Sequence, residues 1–578
     1  MLQGDWSSDV CSSDLINGGK FMMNRTRQIL KKAVVTAMGA SLVVSGSSTV
    51  FAAGSYQETE KTALANVVSK LPEAWDGYLE NYQKACKGTK GTFTLTVEDT
   101  GRALAGALMG GTDVSWLQSF TFDSDITIKD GVEAIVGGLL LNDTKLCDLN
   151  LYMDLANMAE YIQIPQLSEG YITAPIQSTV TTTNGVAENS QEIMSTYMNA
   201  LSDLSSALPD SDTLGTLLDR YGNIIIDNIE EGSSVEESVS VDGISEDCTA
   251  YEGTVSEKAV TAMAEGILTA AKDDAEIKGL FEQWAGASDG ENQYQQFEDA
   301  VADALDSIGS ADGEVSEDPV FSSKVWVNAD NRIVGREFAV IDGAEITPVF
   351  TWKAPSDGDT SALLLEITAE DSSLTLTGSG TTSDGLLNGD YIFAIDGTEA
   401  ADINVENLET KPEKAGYYNG TLNVTFPVAE ADDTTTDEES EAASNPLAGF
   451  GMVINLESDA STDASSIGLT VTTSGAPIAT LTISSGYGDG VDIPDLTSLD
   501  KTYDGSDDAA MTEYVANINW DTFLANIKAA GVPDELATQL ESILTSAVES
   551  MTATDEDQDT SATDSSADGE TEAADDAA

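Results

Sequence analysis

The segment Lys324–Phe350 has the sequence KVWVNADNRIVGREFAVIDGAEITPVF and decides the fold of this chain. Three runs of alternating apolar and polar residues are joined in it by two polar turns. Alternation with a period of two is typical of half-buried strands, and short turns join antiparallel neighbours. The segment therefore predicts a β-meander. Its expected apolar face carries Val325, Val327, Val334, Phe338 and Val340.

The same alternation continues beyond the meander. The apolar positions of the later strands are Leu363, Leu365, Ile367, Leu374, Leu376, Tyr391, Phe393, Ile395, Leu422, Val424 and Phe426. The positions between them are mostly Thr, Ser, Asn, Glu and Asp, so we expect an antiparallel sheet that is covered on one side only. A further set of strands is predicted between Thr92 and Ile164.

Amphipathic helices flank both sets of strands. Gln191–Leu208 and Thr213–Ile229 have helical periodicity, and Ser256 is placed to cap a helix that carries Val260, Met263 and Ile267. The sequence predicts an α+β fold in which large antiparallel β-meander sheets, resembling an unclosed barrel, are backed on one face by these helices. Two similar lobes are one arrangement, and a single long sheet with a helical insertion is the alternative.

The start of the chain predicts export. Residues 1–21 include DWSSDVCSSDL, which resembles translated sequencing-adapter sequence, so we interpret them as an artefact. Residues 22–53 have a basic start, an apolar run and small residues up to Ala52 and Ala53, the pattern of a secretory signal peptide cleaved near one of these alanines. We expect a secreted or envelope-associated protein of a Gram-positive-type bacterium, without a transmembrane segment in the mature chain.

Five further divisions follow from pattern and composition. The predicted units are an N-terminal α+β lobe at 54–245, a C-terminal α+β lobe at 246–500, and C-terminal helices at 501–551, with acidic segments at 429–445 and 552–578. Both acidic segments lack residues that could form a core and are expected to be disordered.

Composition excludes several functions. The chain of 578 residues has 25 Lys+Arg against 101 Asp+Glu, a net charge of -76, which argues against nucleic acid and anionic membranes as partners. Cations are partners that such a surface would attract. The absence of histidine removes Ser-His-Asp and Cys-His catalysis and the HExxH zinc site, and no phosphate-binding loop is present.

The cysteines do not predict a metal site. Cys11, Cys86, Cys147 and Cys248 form no CxxC pair, so a zinc site of the usual spacing is excluded. If Cys11 belongs to the artefact, three cysteines remain, an odd number. We expect buried free thiols in preference to a disulfide.

Acidic residues supply the remaining candidates for chemistry. Asp123 with Asp125, and Glu366 with Glu370, are pairs of the kind that a glycosidase uses, although a solvated surface is the simpler interpretation in so acidic a chain. Calcium could be bound by acidic turns. The residues of those turns are Asp489, Asp492, Asp495, Asp504, Asp507 and Asp508, and Asp210–Gly215 copies the start of an EF-hand loop with Tyr221 in place of its final Glu. We assign no catalytic, cofactor-binding or metal-binding residue from these patterns.

The order of elements carries one resemblance. An N-terminal helix, a long meander, the strand-to-helix segment CTAYEGTVSEKAV and the hairpin KVWVNADNRIVGREF follow one another over about Tyr56–Val548. This order resembles the LolA and LppX-like group of extracytoplasmic proteins. The resemblance implies an unclosed antiparallel barrel whose apolar side faces helices and can hold a lipid or acyl chain. It places no functional residue of that group on this sequence.

These observations favour a non-catalytic binding protein for an apolar or lipid-like ligand. The alternative is a structural or adhesive surface protein in which the acidic segments act as solvated spacers. A carboxylate-based hydrolase ranks last, and no cofactor is expected.

Overall fold

The computed structural model describes residues 54–155, 157–176, 208–284, 286–309, 315–369, 372–412, 414, 416–427 and 447–552. The predicted artefact, signal peptide and acidic segments, and nearly all of the helix expected at Gln191–Leu208, lie outside these residues. The helices are α1 (Tyr56–Lys87), α2 (Asp99–Leu108), α3 (Ser211–Asp227), α4 (Glu257–Lys272), α5 (Ala275–Trp284), α6 (Gly286–Gly309), α7 (Asp508–Ala516), α8 (Asp521–Ala529) and α9 (Asp534–Thr552).

The strands of the first half are β1 (Thr89–Val97), β2 (Ser119–Lys129), β3 (Val132–Leu141), β4 (Thr144–Asp154), β5 (Ala159–Gln163), β6 (Tyr171–Pro175), β7 (Glu230–Val241) and β8 (Ile244–Ser256). Those of the second half are β9 (Pro319–Asn328), β10 (Ile333–Asp342), β11 (Glu345–Lys353), β12 (Ser356–Asp357), β13 (Thr360–Ala369), β14 (Ser372–Ser383), β15 (Leu386–Ile395), β16 (Thr398–Glu409), β17 (Gly420–Thr425), β18 (Phe450–Asp459), β19 (Ala464–Thr473), β20 (Ala476–Tyr487) and β21 (Thr502–Asp504).

All 21 strands form one unclosed sheet that is antiparallel except where β21 pairs with β6. Neighbours in sequence are mostly neighbours in the sheet from β7 to β20, and β20 then pairs with β1, which begins the run from β1 to β6. The predicted α+β class is confirmed. The sheet continues across residues 245 and 246, where we divided the chain, and the division into lobes stays a prediction.

The meander at Lys324–Phe350 is present as β9, β10 and β11, but one residue departs from the predicted face. The β9–β10 register shifts between Ile333 and Gly335. Because a β-bulge inserts one extra residue, it reverses the side on which the next side chains lie. Ile333 therefore packs with Phe338 against the helices, whereas Val334 packs on the opposite side with Trp326.

The core of this region is filled on both sides of the sheet. The helix-facing cluster joins Tyr56 and Ala63 of α1, Met263 of α4, and Val325 and Phe338 of the meander. The opposite cluster consists of Val239, Cys248, Ala250, Trp326 and Val334. The expectation that the sheet is covered on one side only is therefore wrong at β8–β10, where β7 also lies close to β11, β13 and β14.

Helix α1 is continuous through Pro72, although a proline removes a backbone hydrogen bond from a helix interior. Tertiary contacts on both sides of the proline hold the helix together. Val68 packs close to Gly215 of α3, and Trp75 Nε1 donates a hydrogen bond to the carbonyl of Pro209 at 2.7 Å. None of the described helices is long and apolar enough to cross a bilayer.

Candidate functional site

One face of the sheet carries a row of large apolar side chains that passes from the core into solvent. Phe338, Phe350, Ile367, Leu374 and Ile395 are cross-strand neighbours on five adjacent strands. Phe338 is 7% exposed beneath α1, whereas each of the last three is 43% exposed. The row thus begins as packed core and continues as an uncovered surface.

The same surface extends over the strands that follow. We define the apolar face as nine large side chains on this side of the sheet that are between 41% and 47% exposed. They are Phe93, Leu95, Phe120, Ile367, Leu374, Ile395, Phe450, Ile467 and Val471. Monomeric soluble proteins rarely expose a contiguous apolar patch above a few hundred Å². The apolar face is therefore a candidate binding surface.

Helix α1 borders the apolar face, and its two ends are held at distant points of the sheet. At its start Glu60 forms an ion pair with Arg336 of β10, and at its end Lys84 contacts Asp463, beside β18 and β19, at 3.2 Å. The helix between Glu60 and Lys84 is about 36 Å long at the usual rise. The strands from β10 to β18 span a similar distance, about 34 Å, at the usual spacing.

The contact at the start of α1 is buried and polar. Glu60 and Arg336 are 0% and 2% exposed, and Tyr56 beside them donates a hydrogen bond to Ser323 Oγ at 2.6 Å. Burial, with Glu60 nearby, raises the pKa of Tyr56 above its ordinary value. Sequence reasoning missed this cluster. Its only signal was Arg336 itself, a charged residue two positions from Phe338 on the apolar face of the meander.

Beyond its first two turns α1 has no fully buried residue. The buried residues of α1 are Tyr56, Thr59, Glu60 and Ala63, all near its beginning. Its following turns pack on α3, where Leu64 meets Gly222. The nine side chains of the apolar face remain 41–47% exposed beside it.

A cleft on the opposite side of the sheet is lined mainly by Ser, Thr, Gly, Asp and Lys residues. Its volume is about 1040 Å³, and Thr92, Asp123, Ser466 and Ser484 are cross-strand neighbours within it. It contains the predicted pair Asp123 and Asp125. The Oδ1 atom of Asp123 is buried and has no hydrogen-bond partner among the described residues.

Lysines pair with two other carboxylates of this cleft. Lys90 lies 3.7 Å from Asp125 Oδ1, and Lys145 lies 2.7 Å from Asp148 Oδ1. Exposed ion pairs of this kind are common on hydrated surfaces and contribute about 0–1 kcal/mol each. The geometry of the second predicted pair, Glu366 with Glu370, is not described, because Glu370 lies outside the described residues.

The acidic turns considered for calcium have local roles. Asp210 caps α3 by accepting a hydrogen bond from Thr213 N at 2.7 Å, and Tyr221 lies within that helix. Asp495 and Asp504 accept hydrogen bonds from residues two positions later, and Asp507 caps α7. In the part of the chain that the structure describes, no three His, Cys, Asp or Glu residues are grouped to hold a metal ion.

The described cysteines carry free thiols. Cys147 and Cys248 are buried and Cys86 is half-buried. Burial raises the pKa of Cys248 to about 12, and it also raises the pKa of Cys147. A thiol with a raised pKa is a poor nucleophile at neutral pH, so these two cysteines act as small apolar core residues.

No protein-family model matches the chain, and no curated protein or solved structure is significantly similar to it. The resemblance to the LolA and LppX-like group therefore stays a prediction from element order.

Proposed function

We propose that this protein is an exported, non-catalytic binding protein whose apolar face takes up an apolar or lipid-like ligand. The observation that carries the proposal is the cross-strand row in which Phe338 is buried and Ile367, Leu374 and Ile395 are each 43% exposed. The export follows from the signal peptide predicted at residues 22–53, and the absence of histidine removes catalysis by an imidazole acid or base.

The exposed row has an energetic consequence. Burying apolar surface stabilises a protein by about 25 cal/mol per Å², so each side chain left open forgoes part of that gain. A ligand that covers the row would recover it and would stabilise the folded state through binding. The acidic surface elsewhere keeps such a protein soluble while the apolar face is free.

A pair of substitutions tests the proposal. Ile367→Asn with Leu374→Asn places two amides on the apolar face, and Thr368→Asn with Ser373→Asn makes a matched change at cross-strand neighbours on the other face. Full burial of Ile or Leu is worth about 1.5–3 kcal/mol, so 43% of two such side chains corresponds to about 1.3–2.6 kcal/mol. Binding of the neutral apolar fluorophore N-phenyl-1-naphthylamine should weaken roughly 10- to 80-fold in the first variant only.

Native mass spectrometry of the protein purified from its host complements this titration. Co-purifying lipid, lost in the Ile367→Asn and Leu374→Asn variant, supports the proposal. Equal affinity of both variants for the fluorophore would contradict it. In that outcome the protein is better described as a structural or adhesive surface component, the function that its charge of -76 would also serve.

A further inference from the structure

Helix α2 ends in an apolar tip that stands away from the rest of the molecule. Leu104, Leu108 and Met109 are 47%, 81% and 60% exposed, and Leu108 is the most exposed of the large apolar residues described. The chain reverses immediately after them at Gly110 and Gly111, whose φ angles are 74° and 89°.

Among the described residues, none buries the tip. A Cβ atom at Gly110 or at Gly111 would meet no other atom within 4 Å, so the turn projects into open space. The base of the helix is fixed in contrast. Gly101 lies against the carbonyl of Ile478 on β20. The side chain of Arg102 donates hydrogen bonds to Asp99 and to the carbonyl of Val97.

The start of α2 is close in the chain to the apolar face. Helix α2 begins two residues after Val97, the last residue of β1, on which Leu95 belongs to the apolar face. Phe120, the partner of Leu95 on β2, also belongs to it. This end of the apolar face and the start of α2 are therefore only a few residues apart along β1.

Charge distinguishes the tip from the rest of the chain. Residues 103–112, ALAGALMGGT, carry no charge, in a protein whose net charge is -76. An uncharged, exposed apolar helix end is suited to the interfacial region of a lipid bilayer, into which Leu and Met side chains partition. The strongly negative protein would be repelled from anionic lipid, so the surface it suits is uncharged or zwitterionic.

The small size of the tip argues against a second copy of this chain as its occupant. A stable protein interface buries about 800 Å² on each partner and involves roughly 20–30 residues a side. Three side chains fall far below this requirement. Shallow insertion into lipid needs only a few apolar residues, and it is weak and reversible when nothing else anchors the protein.

We propose that α2 is a membrane-contact element, through which the protein touches a zwitterionic lipid surface and exchanges its apolar ligand with it. The contact stands on the exposed tip alone, whereas the exchange rests on the function proposed above. The residues that carry the contact are Leu104, Leu108 and Met109.

Flotation with phosphatidylcholine vesicles tests the contact in the mature full-length protein. Leu108→Asp with Met109→Asp should lower the vesicle-bound fraction about tenfold or more. The matched control is Ile543→Asp, because Ile543 of α9 is a comparably exposed apolar residue at 65%. It should leave flotation unchanged. The proposal would be overturned if Ile543→Asp reduced flotation as much as the α2 variant does, or if the α2 variant did not reduce flotation. It would also be overturned if the wild type were a dimer and the α2 variant a monomer.

The same variant separates the contact from the proposed function. Equilibrium binding of N-phenyl-1-naphthylamine should be unchanged in Leu108→Asp with Met109→Asp, while transfer of a fluorescent phosphatidylcholine from vesicles to the protein should slow about tenfold. If the wild type floats with vesicles and binds no fluorophore, the contact stands and the function of the apolar face fails. If the fluorophore binds and the wild type does not float, the contact fails alone.

Discussion

The buried ion pair between Glu60 and Arg336 gives the sharpest test of how α1 is held. Both side chains are almost fully buried, yet Glu60 Oε2 and the Nε and Nη2 atoms of Arg336 have no hydrogen-bond partner among the described residues. A buried ion pair that is not completely hydrogen-bonded recovers little of its desolvation cost. We therefore expect removal of one partner to destabilise the protein strongly, and replacement of both partners by apolar residues to change its stability little.

Three variants separate these two effects. Glu60→Leu and Arg336→Met each leave one buried charge without its partner, which destabilises the docking of α1 by about 3–5 kcal/mol. The double variant replaces the pair with apolar side chains of similar size, and its stability should lie within about 1 kcal/mol of the wild type or above it. Asp227→Asn breaks an exposed ion pair between Asp227 of α3 and Lys61 of α1. This substitution should lower the free energy of unfolding by less than about 1 kcal/mol.

Hydrogen exchange at the start of α1 measures these differences directly, since local opening exposes its amides. The single variants should speed exchange in residues 56–63 roughly 10²- to 10⁴-fold, provided global unfolding remains slower. The double variant should restore protection. If it exchanges as fast as the single variants, the pair is not an isolated unit and our account of α1 docking is wrong.

Two further predictions concern other contacts. Burial alone would raise the pKa of Asp274, but hydrogen bonds led by that from Arg220 outweigh burial and hold the pKa well below its usual range. The ionised carboxylate therefore stabilises the fold at neutral pH, and the Tm advantage of wild type over Asp274→Asn should narrow as pH falls below about 4. Gly101→Ala would place its Cβ 2.1 Å from the Ile478 carbonyl, so α2 must shift. In Gly101→Ala, amide hydrogen exchange in residues 99–108 should be faster than in the wild type, while exchange in β9 and β10 stays unchanged. Equally faster exchange in both regions would contradict this account.

Local pattern was sufficient for many of the elements and for three of the nine residues of the apolar face. The alternation that begins at Lys324 recurs through β13, β14 and β15, and Ile367, Leu374 and Ile395 lie on the predicted side of the sheet. Ser256 caps α4 as its position suggested, with its side chain accepting from Ala259 N. These features depend on residues that are only a few positions apart, so they can be predicted from one sequence.

The bulge and the ionic contacts could not be predicted in this way. Val334 changes sides because the β9–β10 register shifts, and nothing in a period-two pattern marks that shift. Glu60 and Arg336 are 276 residues apart in the chain, and β1 pairs with β20 across an even longer separation. Such contacts depend on how the whole sheet curves, which no local window of sequence records.

The manner in which α1 is held explains how the apolar face can remain open. A helix that docks through an apolar stripe covers the sheet along its whole length, because that stripe must be buried. Here the start of α1 is docked through Glu60 and its end through Lys84, while its middle packs on α3. Polar contacts at the two ends fix the helix without requiring its middle to lie on the strands. The buried charge at Glu60 thus helps to fix the start of α1 while the nine side chains of the apolar face stay 41–47% exposed.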